Sequence, residues 1–253
     1  MTSSHSIRHE RLYEKVTREL AMRILKGTLD PETDPRTEVE LCRELGVSRT
    51  VLREAVKVLA AKGLVEVRPK TGMRIKPREE WTLIDRELMM WQAEIGISED
   101  FVNNLYEVRL MLEPSTAAIA AVNATEEDLD GIRKALELME QELSNFTAYV
   151  KDDIDFHDRI SRATHNSFLI QINRILLYAL RGSQSLFRKH REDSRLALTL
   201  HKDVADAILH RDKERARSAM LRLVHQAQKD NLLVLRTANA SQHADRKRRN
   251  SDS

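Results

Sequence analysis

Asp153 and His157 stand four residues apart in Asp153-Ile154-Asp155-Phe156-His157, a spacing that puts a carboxylate and an imidazole on one face of a helix. Val150, Phe156 and Ile160 join that stripe, so the pair is directed toward an apolar interior. Burying an ionised carboxylate there costs on the order of several kcal/mol unless an ion or a ligand compensates. His201 repeats the theme on a later helix, sharing a face with Val204, Ala205 and Ile208. One carboxylate oxygen and two imidazole nitrogens suit a divalent transition metal such as zinc, nickel or manganese. The same residues also read as a buried Asp–His hydrogen bond without an ion, with His201 unrelated to it near a helix start.

A second set is cationic. Arg49, Arg53 and Lys57 recur every four residues on one side of a helical pattern whose other side is Val51, Leu52, Ala55, Val56 and Leu59. Guanidinium pairs bidentately with guanine in the major groove, whereas lysine supplies salt-sensitive phosphate contacts. The same cations also read as a solvated helix face.

The flanking segments are the ones such a basic edge needs. Leu12, Val16, Leu20 and Ile24 predict an amphipathic helix over about 10–26, with Gly27 as its stop. Thr37 and Glu40 have capping-box spacing and open a short helix with Val39, Leu41 and Leu45, closed by Gly46. Ser48 caps the next helix and Gly63 ends it. Two short helices across a tight Gly46-Val47 turn form a helix-turn-helix pattern. Leu64-Val65-Glu66-Val67-Arg68, a Pro69-Lys70-Thr71-Gly72 tip and Met73-Arg74-Ile75-Lys76 then read as a hairpin with a basic tip. Together they predict a winged helix over 8–78.

Trp81, Ile84, Leu88, Trp91 and Ile95 follow at helical spacing and predict a linker helix within 79–98 that packs between two halves. From 99 to 238 strand signals are nearly absent. Phe101, Leu105, Val108, Leu112, Ile119 and Val122 mark one helix, with Pro114 as its kink, and Leu129, Ile132, Leu136, Met139 and Leu143 mark another. Further helices are expected at about 147–164, 167–190, 193–210 and 213–236. The expected fold is mainly α: a winged helix-turn-helix with a small β-hairpin, then an all-α bundle of six or seven helices. The stretch 239–253, with Arg246-Lys247-Arg248-Arg249, reads as a disordered tail.

Composition narrows the function. With 253 residues, 41% hydrophobic and 32% charged, the chain is long and apolar enough for one large or two modest domains, which excludes a disordered chain. Residues 1–78 carry 17 Lys and Arg against 11 Asp and Glu, whereas 79–240 carry 21 against 27. A basic amino-terminal module on an acidic body points to a polyanion partner for the first part alone. One cysteine, Cys42, permits no internal disulfide. The start MTSSHSIRHE lacks the apolar core of a secretory signal, and no run reaches the roughly 18 apolar residues of a membrane helix, so a cytoplasmic location is expected. No P-loop, GxGxxG, nucleophile elbow or HExxH is present, and no enzyme is expected.

The run Leu45-Gly46-Val47-Ser48-Arg49-Thr50-Val51-Leu52-Arg53-Glu54-Ala55, with Leu59, Gly63-Leu64-Val65 and the Pro69-Lys70-Thr71-Gly72 tip, resembles the DNA-reading module of GntR-family transcription regulators over about 13–77. The resemblance implies that Arg49 and Arg53 contact the operator and that Gly72 approaches the minor groove; Thr50, Lys57 and Lys70 complete the candidate DNA-facing set. Val39 stands where family members usually carry arginine. Asp153 to His157, and His201-Lys202-Asp203-Val204-Ala205-Asp206-Ala207-Ile208, resemble the metal-binding helices of the FCD effector domain of the FadR subfamily, over about 80–238. The family's third histidine falls at Leu223. His225 is two residues on, about 200° around the helix, and cannot replace it.

By the same resemblance, Arg109 and Asn166 are candidate effector contacts; each also has a local reading, Arg109 as a partner of Glu113 and Asn166 as a helix cap. The Trp81 to Trp91 segment resembles that of sugar-acid-responsive members. The expectation is therefore a homodimeric transcription regulator of a palindromic double-stranded operator, released by a small carboxylate such as a sugar acid or related hydroxy acid. The competing readings are a metal-dependent helical enzyme and a metal sensor, both using Asp153, His157 and His201.

Overall fold

The computed structural model describes residues 3–29, 37–68, 72–82, 84–96, 98–187 and 194–251, for 3–11, 72, 93, 146, 180–187, 194 and 238–251 in their backbone alone. The chain divides into two compact units, Met1–Gly96 and Ile97–Ser253.

In the first unit, α1 (Ser3–Leu25), α2 (Glu38–Leu45) and α3 (Arg49–Ala61) precede a hairpin of β1 (Val65–Arg68) and β2 (Gly72–Ile75), and α4 (Arg86–Ile95) closes the unit. The capping box is formed: Thr37 N–H donates to Glu40 Oε2 at 2.8 Å, and Glu40 N–H donates back to Thr37 Oγ1 at 3.3 Å. Gly46 sits at φ +64°, the left-handed turn that lets α3 start three residues later behind the Ser48 cap. The antiparallel register pairs Val65 with Ile75 and Arg68 with Gly72. Residues 69–71, which include Lys70, lie outside the described residues. Leu20, Leu52, Leu59 and Leu64 are buried at the centre.

The linker reading needs correction. The helix does not start at Trp81: a single 3-10 turn (Arg78–Glu80) comes first, Ile84 is 67% exposed, and α4 begins only after the Asp85 cap. Asp85 accepts from Leu88 N–H at 2.9 Å and from Lys62 Nζ at the same distance, while Trp81 Nε1 donates to Lys76 O at 2.8 Å. Leu88 and Trp91 enter the core of the first unit, so α4 is part of that unit. Truncating Leu88 to alanine would cost about 2–5 kcal/mol.

The second unit is all helical among the described residues: α5 (Glu99–Asn123), α6 (Glu126–Gln141), α7 (Phe146–Arg162), α8 (Ser167–Phe187), α9 (Ser194–Leu209) and α10 (Lys213–Ser251). α5 packs against α10, α9, α7 and α8, so its inward face is the floor of the bundle. That face is not the one its hydrophobic spacing suggests. Val108, Ile119 and Val122 are exposed, whereas Arg109, Glu113, Thr116, Ala117 and Ala120 are buried. Small residues there let neighbouring helices approach closely and leave room for the polar side chains. Pro114 lies inside α5 without ending it. α10 continues through Ser251, past the expected end at 236 and through the expected tail, because neither glycine nor proline follows Lys213 to break it.

Candidate functional site

The first unit presents one basic edge. Ser48 caps α3, and burial of Val51, Leu52, Ala55 and Leu59 turns Arg49, Thr50, Arg53 and Lys57 outward, all of them exposed. Arg53 is not idle: its Nε donates to Glu38 Oε1 at 2.7 Å and its Nη2 to Glu38 Oε2 at 3.2 Å, a two-point clamp from the start of α2. That hydrogen bond from Arg53 holds the Glu38 carboxyl below its ordinary range. Lys57 Nζ pairs with Glu54 at 2.7 Å, and Arg49 makes no ion pair with a described residue. Gly72 opens β2 opposite Arg68, at the tip-side end of the hairpin. Val39 is 43% exposed on α2.

In the second unit, α7 and α9 bring Asp153, His157 and His201 together, with their nearest ligand atoms all within 4.8 Å of one another. His201 is 2% exposed and His157 6%. Phe156 meets both imidazoles edge-on, with ring centroids 5.7 Å from His157 and 5.3 Å from His201. His201 Nδ1 lies 2.7 Å from Ala197 O; a carbonyl only accepts, so Nδ1 carries the hydrogen. In the neutral imidazole, Nε2 then presents a lone pair toward Asp153 Oδ1, 2.8 Å away, and it makes no hydrogen bond. His157 is fixed in the same sense: Nδ1 lies 3.1 Å from Glu113 Oε2, leaving Nε2 on the side of Asp153 Oδ1, 4.0 Å away.

With both imidazoles neutral, three acceptors face one another, an arrangement that a shared cation would bridge. The donor set fits a divalent metal, whose ligand bonds of about 2.0–2.2 Å bring ligand atoms to about 3–4 Å apart. Glu113 behind His157 is the carboxylate that such a histidine commonly uses to fix its tautomer. Burial pushes the Glu113 carboxyl up, but the charge of Arg109 and the hydrogen bonds from His157 and Arg109 outweigh it and hold it at about 2. Leu223 is buried on α10 and His225 is exposed, so neither adds a donor to this cluster.

The two candidate effector contacts are committed locally. Arg109, 3% exposed, clamps Glu113 through Nε and, at 3.2 Å, through Nη2. Burial opposes its charge, yet Glu113 and Tyr106 raise its basicity. Asn166 caps α8, its Oδ1 accepting from Phe168 N–H at 3.0 Å and Leu169 N–H at 3.2 Å. A partly open cavity beside the cluster is lined instead by Glu113, Thr116, His157, Ser161, Asn173 and Met220, among others.

Comparison with known proteins places this geometry. The pattern of bacterial regulatory proteins of the gntR family matches residues 12–75, and that of the FCD domain matches 104–226. The galactonate operon transcriptional repressor of Escherichia coli K12 is 30% identical over 83% of this chain and 93% of its own. The Uxu operon transcriptional regulator of the same strain is 32% identical over 83% of each chain, and the HTH-type regulator YieP is 32% identical over 83% of this chain and 91% of its own.

The chain belongs to the GntR family.

This GntR-family regulator shares its fold with Lar of Listeria monocytogenes, at a TM-score of 0.61 and 19% identity over 88% of this chain and 96% of that one. The relatives are transcription regulators, not enzymes, and the protein is accordingly a ligand-responsive DNA-binding transcription regulator. No helix among its described residues is long and apolar enough to cross a membrane. Sequence reasoning misses Asn173, and it reads Glu113 only as the partner of Arg109, not as the carboxylate behind His157. Arg109, Glu113 and Thr116 at i, i+4 and i+7 mark a polar face of α5, and Asn173 interrupts the Leu169, Leu176 and Leu177 stripe of α8; both signals are readable in the sequence.

Proposed function

We propose that this GntR-family regulator is a homodimeric repressor that reads a palindromic operator with Arg49, Thr50, Arg53 and Lys57 of α3 and with Lys70 and Gly72 of the wing. Its release is triggered by a small carboxylate, a sugar acid or related hydroxy acid, taken up in the FCD unit. The basic edge of α3 carries the DNA half of this reading: a capped helix buries one face and turns two arginines outward. The relatives named for galactonate and Uxu operons support the effector class.

Dimerisation rests on α5. Val108, Met111, Ile119 and Val122 fall within one arc of the helix and are 36%, 62%, 37% and 58% exposed, an apolar stripe that a second copy would cover.

Asp153, His157 and His201 would hold the metal, with Glu113 and Arg109 fixing His157 from behind. A bound divalent ion would supply a Lewis-acid position for an effector carboxylate. Arg109 therefore serves the effector through Glu113, and Asn166 serves it by fixing the start of α8. Effector binding then changes the α4 region between Trp81 and Trp91, and operator affinity falls because the acid binds the DNA-free arrangement more tightly.

The experiment is an operator shift assay on a duplex selected by the full-length protein from random sequence, with sugar acids and smaller hydroxy acids added. At least one acid should weaken the shift; a complex indifferent to all of them would overturn the effector half of the proposal.

A further inference from the structure

We infer that Asn173 selects the effector by accepting a hydrogen bond from one of its hydroxyl groups; this rests on the effector site proposed above. Asn173 is 3% exposed and lines the cavity next to Glu113 and His157. Its Nδ2 donates to Thr116 Oγ1 at 3.0 Å. Thr116 spends its single hydrogen on Leu112 O at 2.9 Å, so its oxygen can only accept from Asn173. That chain fixes which way the amide faces, and it leaves Oδ1 buried without a hydrogen-bond partner. An orphaned buried carbonyl of this kind calls for an explanation, and a bound ligand supplies one.

The polar lining sets the chemistry of the occupant. Ser161 Oγ gives its hydrogen to His157 O at 2.9 Å and keeps only lone pairs. His157 Nδ1–H faces Glu113, whose two oxygens are held by Arg109 and His157. Asn173 Nδ2 keeps a second hydrogen, but Asn173 Oδ1, Ser161 Oγ and the Glu113 oxygens can only accept. A carboxylate oxygen beside Asn173 Oδ1, Ser161 Oγ and the Glu113 carboxylate would be repelled by all three. A cation is not required, because Arg109 already balances Glu113. A neutral donor fits, and the space suits a single water-sized group, which is the size of one hydroxyl. The acid is thus oriented with a hydroxyl toward α8 and its carboxylate elsewhere.

The test is calorimetric binding to the full-length protein of lactate, malate, gluconate and galactonate, each against propionate, succinate or the monodeoxy forms of the same acid. For the hydroxy acid bound most tightly, removal of one particular hydroxyl should weaken binding to the wild type by about tenfold or more. Asn173→Leu should bind the parent acid correspondingly weakly and no longer distinguish it from that deoxy form. Asn173→Ala, which keeps the helix and opens space, should behave alike and covers the case in which the leucine variant misfolds. If the variants discriminate as the wild type does, or if wild type binds parent and deoxy forms equally, the cavity holds only structural water and the inference is overturned while the effector reading stands. If no acid binds at all, both fall.

Discussion

His201 directs Nε2 at Asp153 Oδ1 across 2.8 Å while its Nδ1 is committed to Ala197 O. That contact, with one partner in a 2% exposed side chain, is the core of the proposed metal site. Protein loaded with zinc, nickel or manganese and dialysed should retain about one ion per chain. Asp153→Ala and His201→Ala should lose it. The retained ion should raise the thermal midpoint, with a stabilisation of about 2.7 kcal/mol when free metal is about 100 times its dissociation constant. Equal metal content in wild type and both variants would remove the ion from the account.

Glu38 pairs with Arg53 at 2.7 Å on the proposed DNA-facing edge and orients its guanidinium. An exposed pair of this kind contributes about 0–1 kcal/mol to folding, so Glu38→Ala should leave the thermal midpoint nearly unchanged. Its effect belongs to recognition. Removing a negative charge strengthens binding to random duplex, while the freed guanidinium loses its preset geometry, so the ratio of specific to random-sequence affinity should fall by about tenfold. Competition titrations against random DNA measure that ratio.

Asp128 anchors the turn between α5 and α6 and predicts an acid sensitivity. Its Oδ2 accepts from Thr125 Oγ1 at 2.7 Å and from Thr125 N–H at 2.9 Å, and His165 Nε2 lies 2.9 Å away. Burial pushes this carboxyl up, but the Thr125 and His165 hydrogen bonds outweigh it and hold it below the usual aspartate range. A depressed folded value means the carboxylate stabilises the fold above the unfolded value near 4 and loses that contribution as pH falls through the folded one. Asp128→Ala should therefore cost about 1 kcal/mol at neutral pH, and the gap from wild type should close progressively below about pH 4 in thermal melts.

The apolar stripe on α5 predicts the oligomeric state. Val122→Asp or Met111→Asp places a charge in the proposed contact without touching the buried face of the helix. Light scattering should show a dimer for the wild type and a monomer for the variants, each with unchanged helical content. A variant that stays dimeric would move the interface elsewhere.

Much of the fold and of the candidate site is legible in the amino-acid sequence. Ser48, the Gly46 turn and the Val51, Leu52, Ala55 and Leu59 stripe mark α3 and the edge it exposes, because caps and 3.6-residue periodicity are local properties. Asp153, His157 and His201 are readable from shared apolar faces. Two things are not. The Val108, Leu112, Ile119 and Val122 spacing of α5 suggests an inward apolar face, yet the structure buries the polar face beside it, since periodicity reports an apolar stripe without saying what covers it. The start of α4 is misplaced by spacing because Trp81 and Ile84 continue the helical pattern past the Asp85 cap, and only the contacts of Asp85 with Lys62 and Leu88 show where the helix begins.

The central claim, that the exposed arginines of α3 read the operator, is tested most directly by fluorescence anisotropy of the full-length wild type, Arg49→Ala and Arg53→Ala on the selected duplex and on random DNA. Each substitution should weaken specific binding by about 10- to 100-fold, bringing it toward the random-sequence level, while leaving the thermal midpoint nearly unchanged. Sequence-specific binding undiminished in both variants would contradict the account.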